Sequence, residues 1–288
     1  MIKHSELILN PDGSVYHLNI RPEHVASKII TVGDPDRVDE VTKYFDTVTF
    51  TTQKREFKTT TGRCNGVDLT VISTGIGTDN IDIVLNELDA LFNIDLDRRE
   101  IKDTISSIDI FRIGTSGSMR EEIPIDSYVM SAYGVGLDGL MHFYEEDASD
   151  AEADICNQAS ALLFDILPGV KPYLSSGNPK LLERFKSFCT PGITVTAAGF
   201  YAPQGRELRL KPRATHYLDT LKNIRYQDID TTNFEMETAG IYGLAQKLGH
   251  RAISLNAIVA NRVTGQFSQD SQKTIDTLIQ KSLEVITA

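Results

Sequence analysis

Four short stretches of the chain carry side chains that could hold an anion, a sugar and a planar polar ring. The first is Ile108-Asp109-Ile110-Phe111, followed by Arg112-Ile113-Gly114-Thr115-Ser116-Gly117-Ser118. An apolar run reads as a buried strand. The arginine that ends it would stand at the carboxyl end of a parallel strand, where open α/β sheets bind ligands. The glycines and hydroxyl residues beyond it read as a turn that leaves room for an anion and offers N–H and O–H donors. Two readings of Arg112 stay open on these residues: an anion ligand, or a structural arginine paired with a carboxylate. The second stretch is Gly33-Asp34-Pro35-Asp36-Arg37, where a strand over Lys28 to Val32 gives way to a helix. Asp34 can cap that helix and Pro35 suits its first turn. Gly33 and Arg37 therefore stand at a strand-to-helix turn, a common anion site, although a plain capped helix with a surface arginine explains the same residues. The third is Phe200-Tyr201-Ala202-Pro203-Gln204-Gly205-Arg206. A ring can stack on a base, Gln204 is both donor and acceptor, and Arg206 is a fork of donors. The set suits a nucleobase edge with carbonyls and a ring N–H; a surface loop with incidental polar residues is the alternative. The fourth, Asn233-Phe234-Glu235-Met236-Glu237, reads as the opening of a helix that continues to Leu248, where acidic residues suit the dipole.

Other chemistries find little support. Ser73-Thr74-Gly75-Ile76-Gly77 resembles part of a dinucleotide fingerprint but lacks the third glycine, and no Walker lysine follows. There is no H-E-x-x-H, no zinc spacing and no nucleophile elbow. The three cysteines, Cys64, Cys156 and Cys189, are far apart and form no C-x-x-C pair, which fits a reducing, cytoplasmic setting. A formal net charge of −11 argues against nucleic acid or an anionic membrane as partner. A locally basic cleft would still accept an anionic small molecule. The apolar runs are too short to span a membrane, and Met1 to Ser5 begins no signal-peptide pattern.

The elements that must position these stretches follow from periodicity. Residues 1–27 read as an irregular N-terminal arm, in which His17 lies between apolar neighbours and reads on its own as a packed residue. Thr47 to Thr52, Arg55 to Thr61 and Val67 to Ser73 are β-branched and roughly alternating, hence strands. Asp79 or Asn80 would cap an amphipathic helix carrying Ile81, Val84, Leu85, Leu88 and Leu91. Residues 93–107 read as an inserted excursion. A strand over Ser127 to Ser131 precedes Asp138 to Asp154, an acidic run that reads as a solvated loop. Helices are expected over Ile155 to Leu167, Lys180 to Phe188 and Ser271 to Ile286, with strands over Lys171 to Ser176, Thr194 to Gly199 and Arg251 to Asn261. This alternation predicts an α/β fold, one domain over residues 1–288, with a central mixed β-sheet flanked by helices.

Taken in order, Tyr16-His17-Leu18, Gly33 to Arg37, Arg55-Glu56-Phe57, Ser73 to Gly77, Arg112 to Gly117, Phe200 to Arg206 and Asn233 to Glu237 resemble the nucleoside phosphorylase family. Within it the chain is most similar to the uridine-cleaving members. The resemblance implies that inorganic phosphate, as co-substrate, converts uridine to uracil and ribose 1-phosphate with no organic cofactor. It implies that Gly33, Arg37, Arg112 and Thr115 hold phosphate together with Arg55 of a neighbouring subunit. Glu237, with Met236 beside it, would bind the ribose hydroxyls, and His17 would reach the 5′-hydroxyl across the subunit interface. Phe200, Gln204 and Arg206, with Ser116 and Gly117, would hold the base, and Arg112, Thr115, Glu237 and Arg206 would be the catalytic set. A homo-oligomer with shared sites is implied, a dimer or a hexamer, and the 93–107 excursion is similar to the longer, dimeric members. Bacterial members imply a monovalent cation, K+, near Glu56 and Ser73 at a subunit interface. Purine-cleaving relatives place an aspartic acid near the start of the loop after the late apolar strand. Here Ser254 to Asn261 holds no acid, and Asn256 is no strong proton donor. Where relatives have Gly after Pro in the base loop, this chain has Ala202-Pro203 before Gln204. The alternatives are a purine nucleoside phosphorylase or nucleoside hydrolase on the same fold, and a non-catalytic nucleoside-binding protein.

Overall fold

A computed structural model describes residues 1–145, 149–214 and 216–288. The apolar and β-branched runs become β1 (Lys28–Val32), β2 (Thr47–Lys54), β3 (Phe57–Cys64), β4 (Val67–Ser73) and two-residue strands β5 (Ile94–Asp95) and β6 (Glu100–Ile101). They continue as β7 (Asp109–Ser118), β8 (Tyr128–Gly136), β9 (Tyr173–Ser176), β10 (Thr190–Thr196), β11 (Arg225–Tyr226), β12 (Ile229–Glu235), β13 (Arg251–Asn261) and β14 (Gln266–Phe267). The helices are α1 (Pro35–Thr42), α2 (Thr78–Asn93), α3 (Asp150–Leu163), α4 (Pro179–Phe185), α5 (Tyr217–Leu221), α6 (Thr238–Lys247) and α7 (Ser271–Thr287).

The main sheet runs β11-β12-β10-β8-β13-β7-β1-β4-β3-β2, with β9 added to β8 and β14 to β13. Its centre is the β7 run. Phe111 pairs in parallel register with Ile30 of β1 on one side and Ile253 of β13 on the other. β12 also meets β7, antiparallel, at Phe234–Gly117 and Asn233–Ser118. The strands β7, β13, β8, β10 and β12 therefore close on themselves, and the carboxyl ends of β7 and β12 arrive at one place. Helices cover both faces. Leu85, Leu88 and Tyr242, from α2 and α6, pack with Ile29 and Ile110 on one side; Val38, Phe185 and Leu278, from α1, α4 and α7, pack with Ile30 and Phe111 on the other. A third cluster joins α3 and α5 to β10 through Ile155, Leu221 and Val195.

The fold class is as expected, and several local readings are corrected. Gly114 to Ser118 is no turn: β7 continues to Ser118, because β13, and at Gly117 and Ser118 also β12, supply the ladder that the small residues alone would not demand. Asn233 to Glu235 ends β12 rather than opening a helix, and α6 begins at Thr238 with Glu237 at its N-cap. The cap of α2 is Gly77, with the helix starting at Thr78, so neither Asp79 nor Asn80 is the cap. The acidic run from Asp138 contains a short 3-10 helix, Leu140–Phe143, and the first turn of α3, fixed by a Ser149–Glu152 capping box; Glu146 to Ala148 lie outside the described residues. The 93–107 excursion is a small β5–β6 hairpin. Arg55 sits in the β2–β3 turn at φ 56° rather than in a strand.

Candidate active site

A cavity of about 760 Å³ opens at the carboxyl ends of β1, β7 and β12. Of the residues singled out above, Gly33, Arg37, Glu56, Arg112, Thr115, Ser116, Gly117, Phe200, Gln204, Arg206, Met236 and Glu237 line it. His17, Arg55 and Ser73 do not.

At one end stand Gly33 and Arg37, on the turn from β1 into α1. Asp34 caps that helix by accepting from the Asp36 N–H, which places Arg37 in its first turn. The Arg37 Nε is buried with no hydrogen-bond partner among the described residues, and it stands 3.8 Å from Glu40. Burial pulls its pKa below the ordinary guanidinium value, with Glu40 pulling the other way. A buried donor without an acceptor costs about 1–3 kcal/mol, so the position favours an anion from outside.

Arg112 lines the cavity and is paired with carboxylates. It is 6% exposed. Its Nη2 lies 2.5 Å from Glu237 Oε2 and 3.1 Å from Glu235 Oε2, and its Nη1 donates to Asn256 Oδ1 at 2.9 Å. Burial works against the guanidinium charge, and the two carboxylates more than offset it, so its pKa is raised. The side chain can lie across β7 only because residue 114 is glycine: a Cβ there would stand 2.1 Å from Arg112 Nη1. Glu237 spans the cavity wall. One oxygen holds Arg112 and the other accepts from the Gly77 N–H at 2.8 Å, at the start of α2. Glu235 accepts from the Thr196 hydroxyl and from the N–H groups of Glu237 and Thr238, so it anchors both α6 and Arg112. Burial pushes the Glu235 carboxyl up, against the pull of Arg112.

At the other end, Gln204 is buried beneath Arg206. Arg206 donates to Gln204 Oε1 and to the Phe200 carbonyl, and its guanidinium lies 3.8 Å from the Phe200 ring centre. This leaves the Gln204 amide N–H groups free to face the cavity. The loop is braced from below by the Tyr217 hydroxyl, which donates to the Pro203 carbonyl. Arg262 reaches the same region, 5.5 Å from the Phe234 ring. Burial and the neighbouring Arg262 charge lower the Arg206 pKa. Ser116 accepts from Asn233 Nδ2 at 2.8 Å. The β13 register shifts between Ile258 and Ala260, and this bulge brings both Val259 and Ala260 to the cavity. Asn256 lies behind Arg112 and does not line the cavity. The β13 side chains that face the cavity, Val259 and Ala260, are apolar.

The remaining residues lie elsewhere. His17 and Arg55 share one patch beside the cavity: Lys54, preceding Arg55, donates to the Tyr16 carbonyl, and the His17 ring stands 6.4 Å from Phe57. Arg55 is exposed, with no ion pair among the described residues. The Ser73 hydroxyl donates to the Glu56 carbonyl and accepts the Lys58 N–H. The polar side chain beside Glu56 at the cavity wall is Asn80.

The model of the phosphorylase superfamily matches residues 27–288. The chain belongs to the phosphorylase superfamily. A Trypanosoma brucei nucleoside phosphorylase, described as showing uridine phosphorylase activity, superposes with a TM-score of 0.89 at 27% identity, covering 98% of this chain and all of that one. The uridine phosphorylase of Thermococcus kodakarensis is 28% identical over 96% of this chain and 87% of its own length. A purine nucleoside phosphorylase of Toxoplasma gondii, 20% identical with a TM-score of 0.67 over 97% of this chain and 98% of that one, shares the fold. In this phosphorylase, the side chains missed by sequence reasoning are Glu235, Asn256 as a partner of Arg112, Arg262, Asn80 and the bulged Val259–Ala260. Glu235 had a signal: Glu235 and Glu237 are two apart, so a strand reading puts both on one face.

Proposed function

We propose that this phosphorylase cleaves uridine with phosphate, giving uracil and ribose 1-phosphate. The observation that carries the base assignment is the Gln204–Arg206 pair. Arg206 occupies the Gln204 oxygen, so the pair presents N–H donors to the cavity, matching the carbonyl oxygens of uracil. The relatives named uridine phosphorylase point the same way, as does the lack of an acid on the cavity face of β13.

Phosphate itself is the nucleophile and attacks the anomeric carbon, so no side-chain nucleophile is needed. As the glycosidic bond stretches, the sugar gains positive charge and the base negative charge. Phosphate held at Gly33, Arg37, Arg112 and Thr115 faces the sugar. Gln204 and Arg206 donate to the departing base, with the Phe200 ring, Ser116 and Gly117 around it. Glu237, with Met236 alongside, exchanges part of its hold on Arg112 for the ribose hydroxyls and keeps the reacting atoms in line.

The same reading makes the site shared between two copies. Four carboxylates (Asp34, Glu56, Glu235, Glu237) and three guanidinium groups (Arg37, Arg112, Arg206) line the cavity, a poor balance for a phosphate dianion. Arg55, exposed and without an ion pair among the described residues, supplies the missing charge to a neighbour's site from the adjoining patch, and His17 on the same patch reaches the neighbour's 5′-hydroxyl. The buried free thiols Cys64 and Cys189 suit a reducing compartment, the cytoplasm.

The test is a nucleoside panel read by released base, with and without phosphate. Uridine is expected to exceed cytidine roughly tenfold to hundredfold in kcat/KM, since the cytosine amino group meets donors and an unpaired buried polar group costs about 1–3 kcal/mol. Equal rates for the two would remove the base assignment. Faster inosine cleavage would make the protein a purine enzyme, and turnover without phosphate would make it a hydrolase.

A further inference from the structure

His17 does not reach the cavity of its own chain, yet its ring is held with unusual care. Its Nδ1 lies 2.6 Å from Oε1 of Glu87, a residue of α2 seventy positions away in the chain. The same carboxylate accepts the backbone N–H of His17 at 2.9 Å and that of Leu18 at 2.8 Å. Tyr16 packs edge-on against the ring at 4.8 Å. Glu87 is largely buried, with a side-chain exposure of 14%, and His17 is its one ion-pair partner among the described residues. The His17 Nε2 has no hydrogen-bond partner among them.

A carboxylate that already accepts two backbone N–H groups is itself an acceptor, so the ring nitrogen facing it carries the proton. In the neutral ring that fixes the tautomer and leaves a bare lone pair on Nε2. A carboxylate behind a histidine orients metal-binding imidazoles by the same logic. Two further backbone anchors for one side chain are more than packing of an N-terminal arm requires.

We propose that Glu87 is a positioning residue for recognition of the nucleoside 5′-hydroxyl: it holds His17 with Nδ1 protonated and Nε2 bare, so that Nε2 accepts the 5′-O–H proton of a nucleoside in the neighbouring copy's site. This rests on the shared-site reading above and adds the group that sets the ring's hydrogen-bonding sense. Arg55 carries charge to that site from the same patch, and Glu87–His17 carries a hydrogen-bond acceptor.

The experiment compares uridine with 5′-deoxyuridine, which lacks the hydroxyl in question. His17→Ala and Glu87→Gln are each expected to lower the uridine to 5′-deoxyuridine ratio of kcat/KM about tenfold, the worth of a hydrogen bond in a buried site. The double variant should be no worse than His17→Ala alone, because the two residues act as one unit. A Glu87→Gln protein that loses both substrates equally would mean that Glu87 only supports the arm, and would overturn the proposal. An unchanged ratio in His17→Ala would instead remove His17 from the site, and with it the reading on which the proposal rests. One measurement needs no variant. 15N NMR of the neutral His17 ring should show the Nδ1–H tautomer, and an Nε2–H tautomer would overturn the proposal even if Glu87→Gln failed to fold.

Discussion

Arg37 and Arg112 stand at the same end of the cavity, but their removal has different consequences. Arg112 satisfies Glu235 and Glu237, and stripping the cation from a buried pair costs about 3–5 kcal/mol. Arg112→Ala therefore reports on folding as much as on phosphate. Arg37 has a buried Nε with no partner among the described residues and only a loose approach to Glu40. Arg37→Ala is expected to raise the phosphate KM roughly tenfold to hundredfold, since a charge-assisted hydrogen bond is worth about 1.5–3 kcal/mol, with a smaller effect on the uridine KM and little loss of thermal stability. A folded Arg37→Ala protein with the parent's phosphate KM would remove Arg37 from the phosphate site. At this scale the sequence was informative about cavity residues that recur in short, dense motifs, such as Arg112-Ile113-Gly114-Thr115 and Phe200 to Arg206. It was silent about partners brought from a distance. Glu87 behind His17 and Asn256 behind Arg112 are separated from the residues they hold by 70 and 144 positions, and no local pattern announces either.

Strand β7 shows how an element aims a side chain. Residues 112 and 114 share a face of the strand, so the guanidinium folds over the bare Cα of Gly114 on its way to Glu237. Gly114→Ala would place a Cβ 2.1 Å from Arg112 Nη1 and 2.6 Å from its Cζ. The expected result is a folded protein whose kcat/KM for uridine falls by roughly a hundredfold, the scale of loss from misplacing a positioning group by about 1 Å. Activity within about threefold of the parent would show that Arg112 needs no such path. The same strand marks the limit of local reading. β1 and β13 were legible to the residue, Lys28–Val32 and Arg251–Asn261, because both are apolar and bounded by polar residues. The second half of β7 is Gly, Thr and Ser, a turn composition, and only the flanking strands hold it extended. Asn233 to Glu235 differs from its helical reading for a related reason: acids before a helix suit its dipole, so composition alone does not separate the strand that precedes α6 from the helix. In α3 the Ser149–Glu152 capping box was present in the sequence but lay inside an acidic run that resembles a solvated loop.

For the whole molecule, the question is whether one chain holds a complete site. The residues of the base end, Gln204 and Arg206, line the chain's own cavity. Arg55 lies outside it, at the tip of a hairpin at φ 56° and exposed. A two-fold arrangement uses such a patch twice and completes two equivalent sites. Complementation separates the outward residue from the inward one. On the shared-site reading proposed above, Arg55→Ala removes a group given to the neighbour, and Arg206→Ala removes a group kept at home. In a mixed dimer, one site then carries both lesions and the other carries neither. With random pairing of equal amounts, about half the dimers are mixed and about a quarter of all sites are intact. Two nearly inactive proteins, denatured and refolded together, are expected to recover about that fraction of the parent's activity. Native mass spectrometry fixes the fraction of mixed dimers, so the recovered activity should scale with it. If mixed dimers form and no activity returns, Arg55 and Arg206 serve the same chain's site and the cavity must bind its phosphate with the charges it already holds.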